Sequence, residues 1–409
     1  MATLSDAHSE SFRLSMLIND KRYRSYTFQF IALLLLIAAF SYLGYNLVKN
    51  LQAAGLNISY KFLGDPAGYD INQRLVEYDK TSSHWRASVV GVLNTLLVAV
   101  VGCFFATIIG VIVGVLRLSN NWIVSKLMSV YVEIFRNVPV LIWILIIMAV
   151  FIAVLPQPRD FRGANAEASM LFDLFAFTGR GFYLPRPYFA AEWATGATGW
   201  LIVIALLIAG FFGARTISRN ATKTQEATGV RPTTWYWTLG VWFGPLIIAC
   251  FVMGLSWEIP ELKGFNFSGG IFARNSFIAL TFALSIYTAA FIAENVRAGI
   301  LSVSKGQTEA AASLGLRPNR IMNLVILPQA LRVIIPPLIS HFLNLTKNSS
   351  LAIAVGYMDL TGTLGGITLN QTGRAIESVL LLMAFYLTIS LSISAIMNAY
   401  NKSIALKER

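Results

Sequence analysis

Residues 297–318 read RAGILSVSKGQTEAAASLGLRP and lie between two long apolar runs. Local chemistry predicts a short helix, a tight turn and a second helix. Ser304 and Gln307 have the S-x-x-Q spacing of a capping box, which gives partners to two backbone N–H groups at a helix start. Glu309 follows in the first turns, where the helix dipole favours negative charge. Ala310, Ala311 and Ala312 are strong helix formers. Gly315 fits the position just past a helix end, where a left-handed conformation closes it. Pro318 suits the first turn of the next helix. Such a small-faced helix at a membrane surface either lies along the bilayer or receives a soluble partner.

The composition around this stretch requires a membrane. Of 409 residues, 56% are hydrophobic and 13% are charged. Soluble domains carry about 45–50% apolar and about 25% charged residues. Too few charges remain to cover a soluble surface, which excludes an ordinary soluble enzyme, a disordered chain and a disulfide scaffold. A crossing helix needs about 20 apolar residues. Eight runs qualify: 27–47, 89–116, 138–155, 200–217, 236–257, 274–296, 329–357 and 378–399. The first follows Arg13, Lys21, Arg22 and Arg24. It is too long for a signal-peptide core and reads as an uncleaved anchor.

Charge sets the direction. With the N-terminus in the cytoplasm, the inside segments hold 19 of the 32 Lys and Arg residues. This is the positive-inside bias. It accounts for the net charge of +12 better than nucleic-acid binding does, because the cations form no dense block. Eight spans return the C-terminus to the cytoplasm, where Lys402, Lys407 and Arg409 agree. Trp85, Trp200, Trp235, Trp237 and Trp257 lie near span ends, as an aromatic belt places them. Cys103 and Cys250 sit inside apolar runs and suit neither a disulfide nor zinc. His8, His84 and His341 are scattered, which argues against a membrane-embedded enzyme. No metal, cofactor or catalytic residue is expected. The loops 48–88 and 156–199 read as polar connectors, small caps or docking surfaces. No inverted repeat is visible, which disfavours an ion-coupled secondary transporter, the main alternative.

The segment 297–328 also carries a resemblance. Glu309-Ala310-Ala311, then Gly315, then Leu327-Pro328 resembles the EAA loop of ABC-importer permeases, EAA-x3-G-x9-I-x-L-P, with Val325 in the Ile position. Further matches are Asn94-Thr95, Tyr131, Phe135-Arg136, Pro139 and the run Ala290 to Glu294. Arg297 to Ile300, Gly306-Gln307, Pro328-Gln329-Ala330, Pro336-Pro337 and Lys347 to Leu351 continue the series. In this order they are similar to the polar and general L-amino-acid branch, the Aap/Bzt type of Gram-negative bacteria. The match covers roughly 89–155 and 274–400.

The resemblance implies an all-α polytopic membrane protein of about eight transmembrane helices, a type I ABC importer permease core with extra helices. It divides the chain into a cytoplasmic N-terminus (1–26), an anchor helix and periplasmic loop (27–88) and a first core part (89–155). An insertion with two extra spans (156–273), a second core part with its coupling loop (274–400, loop 297–328) and a cytoplasmic tail (401–409) follow. It also implies a bacterial inner-membrane location and an L-amino-acid import function. The implied partners are ATPase subunits, a second homologous permease forming a heterodimer, a periplasmic amino-acid-binding protein and the lipid bilayer. The chain contains no G-x-x-x-x-G-K-[ST] phosphate loop, so ATP hydrolysis falls to a partner.

Residue roles follow from both lines. Gly306, Gln307, Glu309, Ala310, Ala311, Gly315, Leu327 and Pro328 are the ATPase-coupling candidates. Asn94, Thr95, Lys347, Asn348, Ser349, Ser350 and Asp359 are candidates for the translocation path or the permease interface. A lysine flanked by apolar sequence is costly at membrane depth, so Lys347 either faces a cavity or partner at an unwound turn or snorkels to the outer headgroups. Asp359 is either part of the outer path or a surface carboxylate. Arg136, Pro139, Glu294 and Arg297 are structural candidates, with Glu294 and Arg297 at i,i+3 spacing. His341 is either a helix–helix contact or a proton relay.

Overall fold

The computed structural model describes residues 16–53, 55, 57–163 and 166–404. His8, Arg13, Lys407 and Arg409 lie outside them. The chain divides into two compact units, residues 1–62 and 63–409.

The first unit holds α1 (Lys21–Ala53), whose apolar residues are exposed along its length. The second carries the other long helices: α2 (His84–Leu116), α3 (Trp122–Asn137), α4 (Val140–Val154), α5 (Ala197–Thr228), α6 (Trp235–Val252), α7 (Asn275–Leu301), α8 (Lys305–Ser313), α9 (Leu327–Asn348) and α10 (Ala375–Ile404). Among the described residues, eight helical segments are long and apolar enough to cross a membrane, one for each predicted run.

The segment 117–137, between the second and third predicted spans, is mostly the helix α3. The Asn121 side chain accepts from the N–H groups of Ile123 and Val124 and starts it. Its Met128, Tyr131, Val132 and Phe135 recur at helical spacing and pack on Ile109, Val113, Ala290 and Ala293.

The centre of the second unit is the pair α2 and α7. Gly102, Ala106, Gly110 and Gly114 recur every fourth residue on α2 and are buried. A Cβ on Gly110 would lie 2.6 Å from Cβ of Ile292 and 3.0 Å from the Ala289 carbonyl. One on Gly114 would lie 2.8 Å from the Ala293 carbonyl. Close backbone approach through small residues is how helices associate in lipid.

The sequence 156–199 is more structured than a connector. Strands β1 (Ala176–Thr178), β2 (Gly181–Leu184) and β3 (Arg186–Phe189) precede α5, and β4 (Leu255–Glu258), β5 (Glu261–Lys263), β6 (Asn266–Ser268) and β7 (Ile271–Arg274) follow α6; β2 pairs with β7 and β3 with β4 across the two groups. All pairings are antiparallel, in the orders β1-β2-β7, β3-β4 and β5-β6. The fifth predicted span is therefore too long at its end. Helix α6 stops at Val252, Gly254 turns with φ +64°, and Leu255–Glu258 joins β3. Helices α5 and α6 thus form a hairpin that leaves and returns to this small cap. They pack where Gly210 faces Trp242, and the Trp242 indole N–H donates to the Leu207 carbonyl.

Substituting Gly110→Val overfills the α2–α7 seam. The expected result is a loss of about 1–3 kcal/mol of stability, read as a lower midpoint of thermal unfolding in detergent. Ala106→Gly, which adds no volume, leaves the helices in register.

Candidate functional site

Four groups of side chains make up the candidate site. The first is the coupling segment. Ser304 begins α8 in an extended conformation, but its side chain makes no capping hydrogen bond, so the expected capping box does not form. The end is as expected. Gly315 has φ +75°. Its N–H donates to the Ala312 carbonyl, and the Leu316 N–H donates to the Ala311 carbonyl. These two bonds define a Schellman closure. Pro318 opens the short helix Pro318–Ile321, and Met322–Ile326 then widens into a π-helical turn. Pro328 explains the widening, because its ring has no N–H and crowds the carbonyl four residues earlier. Ala311 is buried, whereas Gly306, Gln307, Glu309, Ala310, Gly315, Leu327 and Pro328 are exposed. Leu314, which the sequence reading passed over, is 81% exposed beside them. A bare leucine at a helix end is its only signal.

The second group is ionic. Glu294 on α7 pairs with Arg297 at 3.3 Å, as its spacing predicts. It also accepts a hydrogen bond from Arg117 at the end of α2 and lies 3.7 Å from Arg136 at the end of α3. Three helix ends are therefore held by one carboxylate. The Arg136 guanidinium also sits 5.5 Å from the centre of the Phe291 ring. Arg117 could not be found from spacing, since it is 177 residues away from its partner. Pro139 precedes α4 as its N-cap residue.

The third group closes the opposite end of α2. Asn94 is buried, and its amide donates to the carbonyls of Gln73 and Met358, both at 2.8 Å. The Thr95 hydroxyl accepts from the Leu360 N–H at 3.1 Å. A Cβ on Gly91 would lie 3.0 Å from Cα of Leu360. Asn94 and Thr95 thus clamp residues 357–360 against the helix. Asp359 is fully buried, which removes the surface-carboxylate reading. Its carboxylate accepts from the Gly362 N–H at 2.8 Å and from the Tyr386 hydroxyl at 3.2 Å. Residues 361–368 continue as a π-helix.

The fourth group is a cavity of about 340 Å³ between α7 and α9, lined by Tyr287, Thr288, Phe291, His341, Asn344 and Asn348. His341, Asn344 and Asn348 occur at i, i+3 and i+7, one polar stripe on α9. The sequence reading singles out His341 and Asn348 and passes over Asn344 between them. His341 opens on this cavity, with its ring 6.0 Å from Phe291. The run Lys347 to Ser350 is split. Lys347 is exposed, Asn348 lines the cavity, and the buried Ser349 hydroxyl donates to the Thr346 carbonyl. Ser350 is half-buried. The expected unwound turn is absent: α9 runs through Asn348 and tightens into a 3₁₀ helix, Ser349–Val355.

Eight membrane-length helices, a polar cavity and an exposed helix–turn segment together define a multi-pass membrane protein. Residues 233–406 match the family described as "Binding-protein-dependent transport system inner membrane component". The glutamate/glutamine/aspartate/asparagine transport system permease protein BztB of Rhodobacter capsulatus is 53% identical over 100% of both chains. The general L-amino acid transport system permease protein AapQ of Rhizobium johnstonii is 42% identical over 98% of this chain and 96% of its own. A solved amino acid ABC transporter with histidines overlaps at TM-score 0.44 and 19% identity, covering 78% of this chain and 95% of that one. The chain belongs to the amino-acid ABC transporter permeases. It is the membrane-spanning transport subunit, and ATP hydrolysis belongs to a separate subunit.

Replacing Glu294 with Gln leaves three guanidinium groups clustered without their carboxylate. Because Glu294 is partly exposed, the expected loss is moderate, about 1–3 kcal/mol. It is read as a lower unfolding midpoint, restored in part by the further change Arg117→Gln.

Proposed function

We propose that this chain lines one half of the import path for L-amino acids, with the cavity between α7 and α9 as the place where substrate passes. The supporting observation is the His341–Asn344–Asn348 stripe facing Tyr287 and Thr288. Imidazole, amide and hydroxyl groups complement the carboxylate, ammonium and amide groups of small polar amino acids. The relatives named for glutamate, glutamine, aspartate and asparagine, and for general L-amino acids, favour the same class. Lys347, on the exposed face beside Asn344, is assigned to the contact with a second, homologous permease, where its ammonium adds positive potential for a carboxylate.

In this reading the chain lies in a bacterial inner membrane with both termini cytoplasmic, the cap facing the periplasm and its amino-acid-binding protein. The exposed face of α8, with Glu309, Ala310, Leu314 and Gly315, seats in the ATPase. Motor closure moves α8 and the helix ends tied to Glu294. The π turn before Pro328 carries that motion into α9. Asp359, held by Gly362 and Tyr386 and clamped next to Asn94 and Thr95, belongs to the outer closure. Each nucleotide state favours one pore state through its different contacts, which is all that coupling requires.

Two measurements test this in proteoliposomes containing the whole importer and its binding protein. Asn344→Leu with Asn348→Leu should lower uptake of labelled glutamate and glutamine by about tenfold or more, while the ATPase subunits still co-purify. Unchanged uptake overturns the cavity assignment. Gly315→Asp strains a left-handed position that favours glycine. It should abolish ATP-driven uptake and weaken ATPase association. Intact assembly and uptake overturn the docking assignment.

A further inference from the structure

The α5–α6 hairpin has a feature that neither transport nor coupling uses. Helix α5 spans 32 residues, about 48 Å at 1.5 Å per residue, which exceeds the hydrocarbon core by several turns. One face packs on α6: Gly210 and Gly213 meet Trp242 and Val241, and Ile217, Ala221 and Thr224 line a crevice with Pro232, Thr234 and Trp237. On the opposite face, at helical spacing, Leu201, Ile204, Ile208, Phe211 and Phe212 are all at least half exposed. The same face then turns cationic at Arg215, Arg219 and Lys223, spaced i, i+4 and i+8.

These three cations and Arg231 are exposed, and none forms an ion pair among the described residues. Glu226 is the only acidic residue from 197 to 252. Trp237 lies level with Ile217 across the crevice, which places the exposed Trp235, Tyr236 and Trp237 at the height where the basic stripe begins. Aromatic side chains at that height mark the membrane–water interface.

We propose that this face of α5 binds an anionic phospholipid of the surrounding leaflet, with its acyl chain along Leu201, Ile204, Ile208 and Phe211 and its phosphate headgroup held by Arg215, Arg219 and Lys223. An apolar strip followed by cations on one helix face has the polarity of a phospholipid. A protein partner would have to supply the same order, lipid-like below and acidic above. The exposed hairpin is then anchored at its tip by charge and at its base by the cap. Arg215 and Arg219 lie at headgroup depth, and Lys223 and Arg231 lie within a Debye length of the surface.

The test uses the purified whole importer in mixed bilayers of phosphatidylcholine with spin-labelled phosphatidylglycerol or spin-labelled phosphatidylcholine. Juxtamembrane cations contribute about 1 kcal/mol each towards anionic lipid, roughly fivefold in affinity. The triple change R215Q/R219Q/K223Q should therefore reduce the immobilised phosphatidylglycerol by about tenfold or more relative to phosphatidylcholine. Neutralising two cap residues, R159Q with K263Q, should leave it unchanged. Raising salt from 0.15 to 1 M on the unaltered complex should weaken the preference without any substitution. Equal phosphatidylglycerol selectivity in the triple variant, or salt-insensitive selectivity in the unaltered complex, overturns the proposal. Loss of a protein subunit from the triple variant at unchanged lipid selectivity overturns it as well and assigns the stripe to a protein contact.

Discussion

The close approach of α2 and α7 sets the geometry of everything else in the second unit. Lipid tails are as apolar as leucine side chains, so no hydrophobic force draws two helices together inside a bilayer. What remains is contact, and contact is greatest where backbones meet. Gly110 and Gly114 provide that surface on α2, and Ala289, Ile292 and Ala293 receive it on α7. With these axes fixed, Arg117 reaches Glu294 at one end. At the other end Asn94 and Thr95 reach the backbone of residues 357–360. One packing seam thus positions both ends of the core.

Helix α9 is arranged to differ from its neighbours. Prolines 328, 336 and 337 each remove a backbone donor; the helix widens before the first and stays α-helical through the others, with fewer internal bonds. Beside them the Asn295 amide donates to the Ile334 carbonyl at 2.7 Å. The same helix carries the polar stripe of the cavity. A helix with weakened internal bonds and polar side chains towards a cavity can shift between two arrangements at lower cost than α7, which is buried on most sides.

The insertion has its own logic. Its spans α5 and α6 are joined to the rest through short strands that pair before and after them, so the hairpin is tied at its base by main-chain hydrogen bonds. Beyond the cap its contacts are mainly between its own two helices. Its outward surface is apolar for the length of a membrane and then basic, an order that belongs to lipid.

Much was legible in the sequence because it depends on local chemistry. Eight membrane-length helices follow from apolar run length. Gly315 and Pro318 mark the end of one helix and the start of another because left-handed backbone and a missing N–H are properties of single residues. The ordered motifs around Glu309 placed the chain in its family before any contact was known. The small strands were not legible, because each is three or four residues long and exists only through its partner. The Arg117–Glu294 pair, the burial of Asp359 and the division of Lys347, Asn348 and Ser349 among three environments were not legible either. A polar side chain in a membrane protein must find a partner or a cavity, but sequence states only that requirement. Which partner meets it depends on elements far apart in the chain, and only their packing brings them together.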